Sequence, residues 1–220
     1  MNRIDCSMDD MANTKFLTAY GSLIKQFCTS TDFNYNEVLG LMVVYYKFVK
    51  FNGPTAKKMT KKQFYELFLV LFRICDMSII DRVLLCITND VRFVIPEAWM
   101  QLFSVFLSKD TKLRSQFAYN VYTYSGTTKL NREAVCLAVE KFFEGDDDDE
   151  VNELRADMVE FVFNKFDLDK DGIISYSEYA EVVQNQPPLI EFLGQIFPDD
   201  NDLTLVALCT NIESKFRSDD

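Results

Sequence analysis

Histidine is absent from the 220-residue sequence, and tryptophan occurs only once. Without histidine the chain cannot build a Ser-His-Asp or Cys-His catalytic group, and it lacks the commonest zinc ligand. It also lacks a glycine-rich phosphate loop, so we expect no enzymatic activity. Proline and glycine are scarce, at five and seven residues. This scarcity argues against an all-β sandwich, which would need many turns.

Long apolar runs and paired cysteines are also missing. No apolar run approaches the eighteen residues that a membrane-spanning helix needs. The N-terminus has no apolar signal core, and Asn2 stands where N-myristoylation requires glycine. The six cysteines form no Cys-x-x-Cys pair and are expected to be reduced thiols. We therefore expect a cytoplasmic protein that is not recruited to membranes.

Positive charge is scarce in one half of the chain. The net charge is −11 overall, with +2 in residues 1–110 and −13 in residues 111–220. An acidic second half disfavours binding to nucleic acid or to anionic lipid through that surface. The first half carries a lysine-rich turn between residues 47 and 62, which indicates either a solvated turn or a contact with phosphate or an acidic protein surface.

The sequence does contain a twelve-residue loop, Asp167–Glu178, in which oxygen-bearing residues recur at the spacing of an EF-hand. Such a loop surrounds Ca²⁺ with oxygen ligands, and glycine at its sixth position, here Gly172, permits a sharp turn. The predicted metal ligands, in which Ile173 offers its backbone carbonyl, are Asp167, Asp169, Asp171, Ile173, Ser175 and Glu178.

EF-hands occur in pairs, so degenerate copies are expected upstream. Alignment of Leu130 with Ile174 places a copy at Thr123–Ala134, where no carboxylate remains at positions 1, 3, 5 or 12. A second vestigial loop is predicted at Thr88–Glu97, with Asp90 as its one plausible ligand. A fourth, heavily diverged unit would join the helices of residues 36–75 across residues 52–59. One calcium site among four units is therefore expected.

Helical periodicity and these loops predict an all-α fold with two lobes of paired EF-hands and a short C-terminal helix at Leu189–Phe197. The N-terminal lobe is expected to span residues 15–110 and the C-terminal lobe residues 111–198. A flexible N-terminus of residues 1–14 would precede the lobes, and an acidic tail of residues 199–220 would follow them.

The order of these features resembles the calaxin family of EF-hand proteins, which are related to neuronal calcium sensors. The resemblance covers about Leu17 to Asp200. It is carried by these segments: Phe33-Asn34, Glu37-Val38, Asp81–Val83, Glu97–Trp99, Asp167–Glu178, Leu189–Gly194 and Phe197–Asp199. Family members have three recognisable calcium loops, whereas the copies at Thr88 and Thr123 have lost their ligands here.

The resemblance implies a calcium-binding adaptor of the ciliary or flagellar axoneme. Its partners would be coiled coils of the dynein-arm docking complex, axonemal dynein or proteins of the doublet microtubule. The alternative is a general cytosolic calcium sensor that binds an amphipathic helix of a target protein. A membrane-recruited sensor, a calcium buffer and an enzyme are each less compatible with the sequence.

Overall fold

The computed structural model describes residues 8–53, 55–90, 92–123 and 129–208. Over these residues the chain is built almost entirely from helices, which confirms the predicted all-α EF-hand fold. No helix within the described ranges is both long and apolar enough to cross a membrane.

The secondary structure alternates helices with four two-residue strands. In chain order the α-helices are α1 Asp10–Ser30, α2 Tyr35–Phe51, α3 Lys61–Glu66, α4 Met77–Ile87, α5 Pro96–Phe106, α6 Thr111–Thr123, α7 Arg132–Val139, α8 Asp148–Phe166, α9 Tyr176–Asn185 and α10 Asp200–Leu208. A π-helical turn, Leu67–Leu71, continues α3, and a 3-10 turn, Pro187–Glu191, follows α9. The strands are β1 Met59–Thr60, β2 Phe93–Val94, β3 Leu130–Asn131 and β4 Ile173–Ile174.

The strands form two antiparallel ribbons, each of which joins two helix–loop–helix units. In the first ribbon Met59 pairs with Val94, and in the second Leu130 pairs with Ile174. These four residues are all buried. The second pairing confirms the alignment of Leu130 with Ile174 that the sequence predicts.

Several helix starts follow from local hydrogen bonding. Thr60 accepts the backbone N–H of Gln63, and Gln63 reaches back to the N–H of Thr60, so the predicted capping box is present. Asn131 caps α7 by accepting the N–H of Ala134. Pro96 occupies the first turn of α5, where its missing N–H costs no hydrogen bond.

The chain divides into two compact units. The first comprises the described residues of Met1–Ile80, Ile87–Leu107 and Phe197–Asp220, and it contains the β1–β2 ribbon. Its core includes Trp99, which is fully buried. The centroids of the Trp99 and Phe103 rings are 4.6 Å apart. The Trp99 indole N–H donates to the Leu41 carbonyl at 3.0 Å, so its polar atom is satisfied.

The second unit comprises Asp81–Cys86 and Ser108–Ile196 and contains the β3–β4 ribbon. Its aromatic core includes Phe166 and Phe192, whose ring centroids are 4.2 Å apart. The Tyr179 hydroxyl donates to the Ile190 carbonyl at 2.6 Å, and the Tyr122 hydroxyl donates to the Gly194 carbonyl at 2.8 Å. The segment after α9 is therefore packed into this unit's own interior.

The prediction of a short C-terminal helix at Leu189–Phe197 is wrong, because this segment is not α-helical. The segment begins as the 3-10 turn Pro187–Glu191 and continues without an α-helix. Pro187 and Pro188 lack an N–H to donate, and Gly194 adopts a φ of 111°, which an α-helix does not contain. The Glu191 side chain instead accepts the N–H of Ile196 at 2.6 Å.

Both predicted terminal segments are partly helical. Helix α1 begins at Asp10, where Asp9 caps it by accepting the Ala12 N–H at 2.7 Å, so residues 10–14 are not a flexible extension. In the predicted acidic tail, residues 200–208 form α10, and Asp202 is 2% exposed and paired with Arg73 at 2.6 Å. Residues 1–7 and 209–220 lie outside the described residues.

Candidate metal centre

The predicted calcium loop lies between α8 and α9, and its backbone makes a sharp turn. Helix α8 ends at Phe166, and Asp167 occupies its C-cap position. The loop then turns through Lys170 and Gly172, which have φ values of 63° and 82°. A side chain at position 172 would meet no neighbouring atom, but it would be strained by this φ. The glycine is therefore required by backbone conformation rather than by space.

The structure brings three of the predicted ligands together. Carboxylate oxygens of Asp167, Asp169 and Asp171 all lie within 4.8 Å of one another, and Asp167 is 5% exposed. The Asp171 N–H donates to Asp167 and Asp169 at 3.1 Å, and the Gly172 N–H donates to Asp167 at 3.0 Å. Backbone donors thus hold three mutually repelling charges around one point.

Glu178 closes the loop from its far end. One carboxylate oxygen accepts the N–H groups of Leu168 and Asp169 at 2.8 and 3.3 Å. The other accepts the Ser175 N–H at 2.8 Å and the Ser175 hydroxyl at 2.6 Å. Burial acts to raise the Glu178 pKa, but these hydrogen bonds outweigh it and hold the pKa below its usual range. The side chain is therefore an ionised carboxylate in place at position 12.

Ile173 and Ile174 tie this loop to its partner. Ile174 pairs with Leu130 and Ile173 with Asn131. The Tyr119 hydroxyl, on α6, donates to the Ile174 carbonyl at 2.9 Å. The ribbon and this tyrosine fix the segment that carries the Ile173 carbonyl, which is the predicted position-7 ligand.

The partner loop at Thr123–Ala134 directs its described polar groups elsewhere. Residues 124–128, which include predicted positions 3 and 5, lie outside the described residues. The Thr123 hydroxyl donates to the Tyr119 carbonyl at 2.8 Å, and Asn131 caps α7. Ser175 caps α9 from the same position 9 of the acidic loop, so the two loops differ at position 1, where Thr123 stands in place of Asp167.

The loop before β2 uses its single acidic side chain on its own backbone. Asp90 accepts the Arg92 N–H at 3.0 Å and lies 3.9 Å from the Lys58 ammonium. The Arg92 N–H lowers the Asp90 pKa, with further lowering from Phe93 and Lys58 and opposition from desolvation. In the described part of this loop, Asp90 stands alone rather than in a carboxylate cluster.

Sequence reasoning missed how the first loop is closed. With Met59 at position 8, Asn52 is at position 1 and Gln63 at position 12. The Asn52 amide NH₂ donates to the Gln63 side-chain oxygen at 2.8 Å and to the Lys58 carbonyl, at position 7, at 3.3 Å. In a calcium loop, oxygens at positions 7 and 12 coordinate the cation. Here a neutral amide donor links these two oxygens. The repeat spacing places Asn52 and Gln63 at positions 1 and 12 of the loop, and it could have revealed this closure.

Comparisons with known proteins extend the likeness beyond the loop. No family model matches the chain. Calaxin of Xenopus laevis is 26% identical over 185 residues, which cover 82% of this chain and 86% of the relative. This chain is therefore similar to calaxin over most of its length. Human calaxin is 24% identical over 174 residues, which cover 76% and 81% of the two chains.

The match to Danio rerio calaxin is shorter. It has 26% identity over 130 residues, which cover 58% of this chain and 62% of the relative. The longer matches cover most of the helical scaffold, because a twelve-residue loop supplies only a small part of 185 aligned residues. The similarity therefore includes the helices that carry the emptied loops as well as the acidic loop itself.

Proposed function

We propose that the chain binds one Ca²⁺ in the loop Asp167–Glu178 and acts without catalysis as a protein-binding adaptor. The observation that carries this proposal is the convergence of three carboxylates within 4.8 Å in a loop closed by a fourth. The ligands would be the side chains of Asp167, Asp169, Asp171, Ser175 and Glu178 and the carbonyl of Ile173.

The donor set fits a hard cation. Carboxylate, hydroxyl and carbonyl oxygens are the ligands that Ca²⁺ prefers, and its flexible shell of six to eight oxygens suits this loop length. Three like charges held together repel one another, and a divalent cation would relieve that repulsion. Ca²⁺ would supply charge neutralisation and a fixed loop geometry, while the residues of the chain supply its selectivity.

The axonemal setting is supported by the calaxin likeness and by the family order of the segments. We propose a cytoplasmic protein of the ciliary or flagellar axoneme, docked on the outer dynein arm or on its docking complex at doublet microtubules. Coiled coils of that complex, axonemal dynein and doublet microtubule proteins are the proposed partners. Residues 15–110 and 111–198 would act as two lobes, of which the second responds to calcium.

One site limits how far calcium can change the protein. With a Kd of about 1 μM, within the range of EF-hand sensors, about 10 μM free Ca²⁺ stabilises the bound state by about 1.4 kcal/mol. A switch between nearly pure conformations would need about 5.5 kcal/mol. Calcium would therefore adjust the affinity for a partner, and docking itself would be constitutive.

The metal proposal is tested by titrating chelator-treated protein with Ca²⁺ in a calorimeter. We expect one ion per chain, and Glu178→Gln should weaken its binding by about a hundredfold, because a charged bidentate ligand is lost. Asp90→Asn is the matched control, since it makes the same chemical change in the other ribbon pair and should leave the affinity unaltered. Two bound ions, or no binding by the wild type at millimolar Ca²⁺, would contradict the proposal.

The axonemal proposal needs a separate experiment. Tagged wild-type chain and Glu178→Gln are used to capture partners from sperm or ciliary lysate, with Ca²⁺ or with chelator. We expect axonemal proteins in every arm, with yields that change with Ca²⁺ only for the wild type. A partner set without axonemal proteins would support the alternative of a general cytosolic sensor.

A further inference from the structure

The first ribbon pair carries a cluster of cations in and beside its two loops. With Met59 and Val94 at position 8 of their loops, Lys57 and Arg92 are both at position 6, and Lys58 is at position 7. Lys61 and Lys62 follow at the start of α3. The Lys61 N–H donates to the Arg92 carbonyl at 2.9 Å, so the two loops bring these residues side by side. We call Lys57, Lys58, Lys61, Lys62 and Arg92 the basic face.

Most of these cations are open to solvent. Lys57, Lys62 and Arg92 are exposed, and the Lys62 side chain has 86% of its surface accessible although it lies 3.7 Å from Glu66. Residues 57–66 contain four lysines and a single acidic residue, Glu66, in a chain whose net charge is −11. The basic face is thus a local exception to the charge of the protein.

Two of these lysines oppose the helix on which they lie. Lys61 and Lys62 occupy the first turn of α3, which contains no acidic residue. The equivalent turns of α5, α7 and α9 contain Glu97, Glu133 and Glu178. The N-terminus of a helix carries partial positive charge and is stabilised by anions, so two lysines there lower helix stability. Because these two lysines lower the stability of α3, their presence indicates a function other than stabilising the fold.

The basic face does not depend on a metal. A cation bound inside the first loop would repel Lys57 and Lys58, but the Asn52 amide closes that loop onto Gln63 and Lys58 instead. The ribbon is further tied by Tyr45, whose hydroxyl donates to the Val94 carbonyl at 2.8 Å and accepts the Met59 N–H at 3.4 Å. The groups of the chain itself thus hold together the loops that carry the basic face.

We propose that the basic face binds an acidic segment of a partner protein, such as a run of glutamates, independently of calcium. Lysines are flexible point charges that suit an irregular acidic peptide. A short face also suits a short segment. A longer polyanion such as nucleic acid is disfavoured by the net charge of −11 of the whole chain. This proposal goes beyond calcium binding and would stand if the loop Asp167–Glu178 bound no ion.

The test measures polarisation of a fluorescein-labelled polyglutamate peptide titrated with the full chain, in chelator and in Ca²⁺. We expect saturable binding that weakens between about 50 and 150 mM salt and is unchanged by Ca²⁺. The variant Lys57→Glu/Lys62→Glu/Arg92→Glu should weaken binding about tenfold or more. Lys15→Glu/Lys25→Glu/Lys109→Glu is the matched control, because it reverses three exposed cations elsewhere and has the same net charge.

The outcomes separate this proposal from its rivals and from the metal site. An equal loss in both triple variants would show a non-specific effect of net charge and overturn the basic face. Labelled single-stranded DNA or phosphatidylserine vesicles that bind more tightly than polyglutamate, through the same three residues, would overturn the protein class of the partner. Glu178→Gln should bind polyglutamate like the wild type, so a failure of the calcium proposal leaves this test intact. Circular dichroism of both triple variants confirms that each is folded.

Discussion

The two ribbon pairs share one scaffold but are closed by different chemistry. Each has two antiparallel residue pairs, buried apolar residues at position 8 and a tyrosine hydroxyl bound to the ribbon, from Tyr45 in one pair and Tyr119 in the other. In the first pair the amide of Asn52 joins the groups that would face a cation. In the second, four carboxylates remain around the loop. The pairing of loops therefore does not depend on the carboxylates of the acidic loop.

The largest expected difference between the pairs is their response to Ca²⁺ in hydrogen exchange. At about a thousand times Kd, a ligand specific to the folded state adds about 4 kcal/mol to its stability. We expect protection to rise in residues 163–178 and in the paired strand Leu130–Asn131. Amides of Met59, Thr60, Phe93 and Val94 should not change. Equal gains in both ribbons would contradict the separation and indicate a second site or strong coupling.

The second prediction concerns the Asn52–Gln63 hydrogen bond that closes the first loop. Gln63 is 7% exposed, accepts from Asn52 and the Thr60 N–H, and donates to the Phe48 carbonyl at 2.6 Å. Gln63→Ala removes these hydrogen bonds, including the one to the buried Phe48 carbonyl, and should cost about 1–3 kcal/mol in the free energy of unfolding. Asn52→Ala, which removes only the donor, should cost less. Urea unfolding measures both.

The control for this closure is Gln101→Ala, which makes the same substitution at an exposed position of α5 and should change stability little. Calcium affinity should stay at the wild-type value in all three variants. A lowered affinity in Gln63→Ala would mean that the first pair supports the metal loop, and the comparison between the two pairs would need revision.

The third prediction uses the two tyrosines that the pairs have in common. Tyr45→Phe and Tyr119→Phe each remove a buried hydroxyl that is bound to the ribbon, and each should cost about 1 kcal/mol of stability. Only Tyr119→Phe should also weaken Ca²⁺ binding, by several-fold, because the freed Ile174 carbonyl adjoins the position-7 ligand. Calorimetric titration of both variants measures this. Weakening in Tyr45→Phe as well would contradict the assignment.

The acidic loop and the helix caps could be predicted because their partners are close in sequence. Asp167, Gly172 and Glu178 are linked by fixed loop spacing, and Thr60 with Gln63 by the three-residue span of a capping box. The β3–β4 register also followed, since a buried apolar residue recurs at position 8 of each loop. Local rules were sufficient where the hydrogen bonds belong to a motif of fixed spacing, such as a capping box or a calcium loop.

Other features depend on contacts that spacing does not encode. Asp202 is buried because Arg73, 129 positions earlier, pairs with it, so composition alone suggested a solvated tail. Leu189–Phe197 has helical composition, but Gly194 and two prolines favour turns, and Phe192 packs against Phe166. Asn52, by contrast, looked like an ordinary turn residue because the loop numbering was not extended to this unit, where Asn52 and Gln63 occupy positions 1 and 12.

The smallest expected effect is the response of the two pairs to acid, measured without Ca²⁺. Hydrogen bonds hold the pKa of Glu178 and of Asp90 below their usual ranges. For Glu178 the unfolded value is about 4.3, so its stabilisation is complete above about pH 4.3 and is lost as the pH falls through the lower folded pKa.

Urea midpoints of the wild type and Glu178→Gln should therefore differ at pH 7 and converge as the pH falls through the lowered folded pKa of Glu178, where the wild-type carboxyl becomes protonated. Asp90→Asn should follow the same course with a smaller gap, because the Asp90 carboxylate is better solvated and so binds the backbone less strongly. The two variants compare Glu178, which we propose as a metal ligand, with Asp90, which accepts a hydrogen bond from the backbone of its own loop. If Glu178→Gln were instead more stable than the wild type at pH 7, with a difference that closes on acidification, Glu178 would be destabilised by its neighbouring carboxylates rather than stabilised by the N–H groups around it.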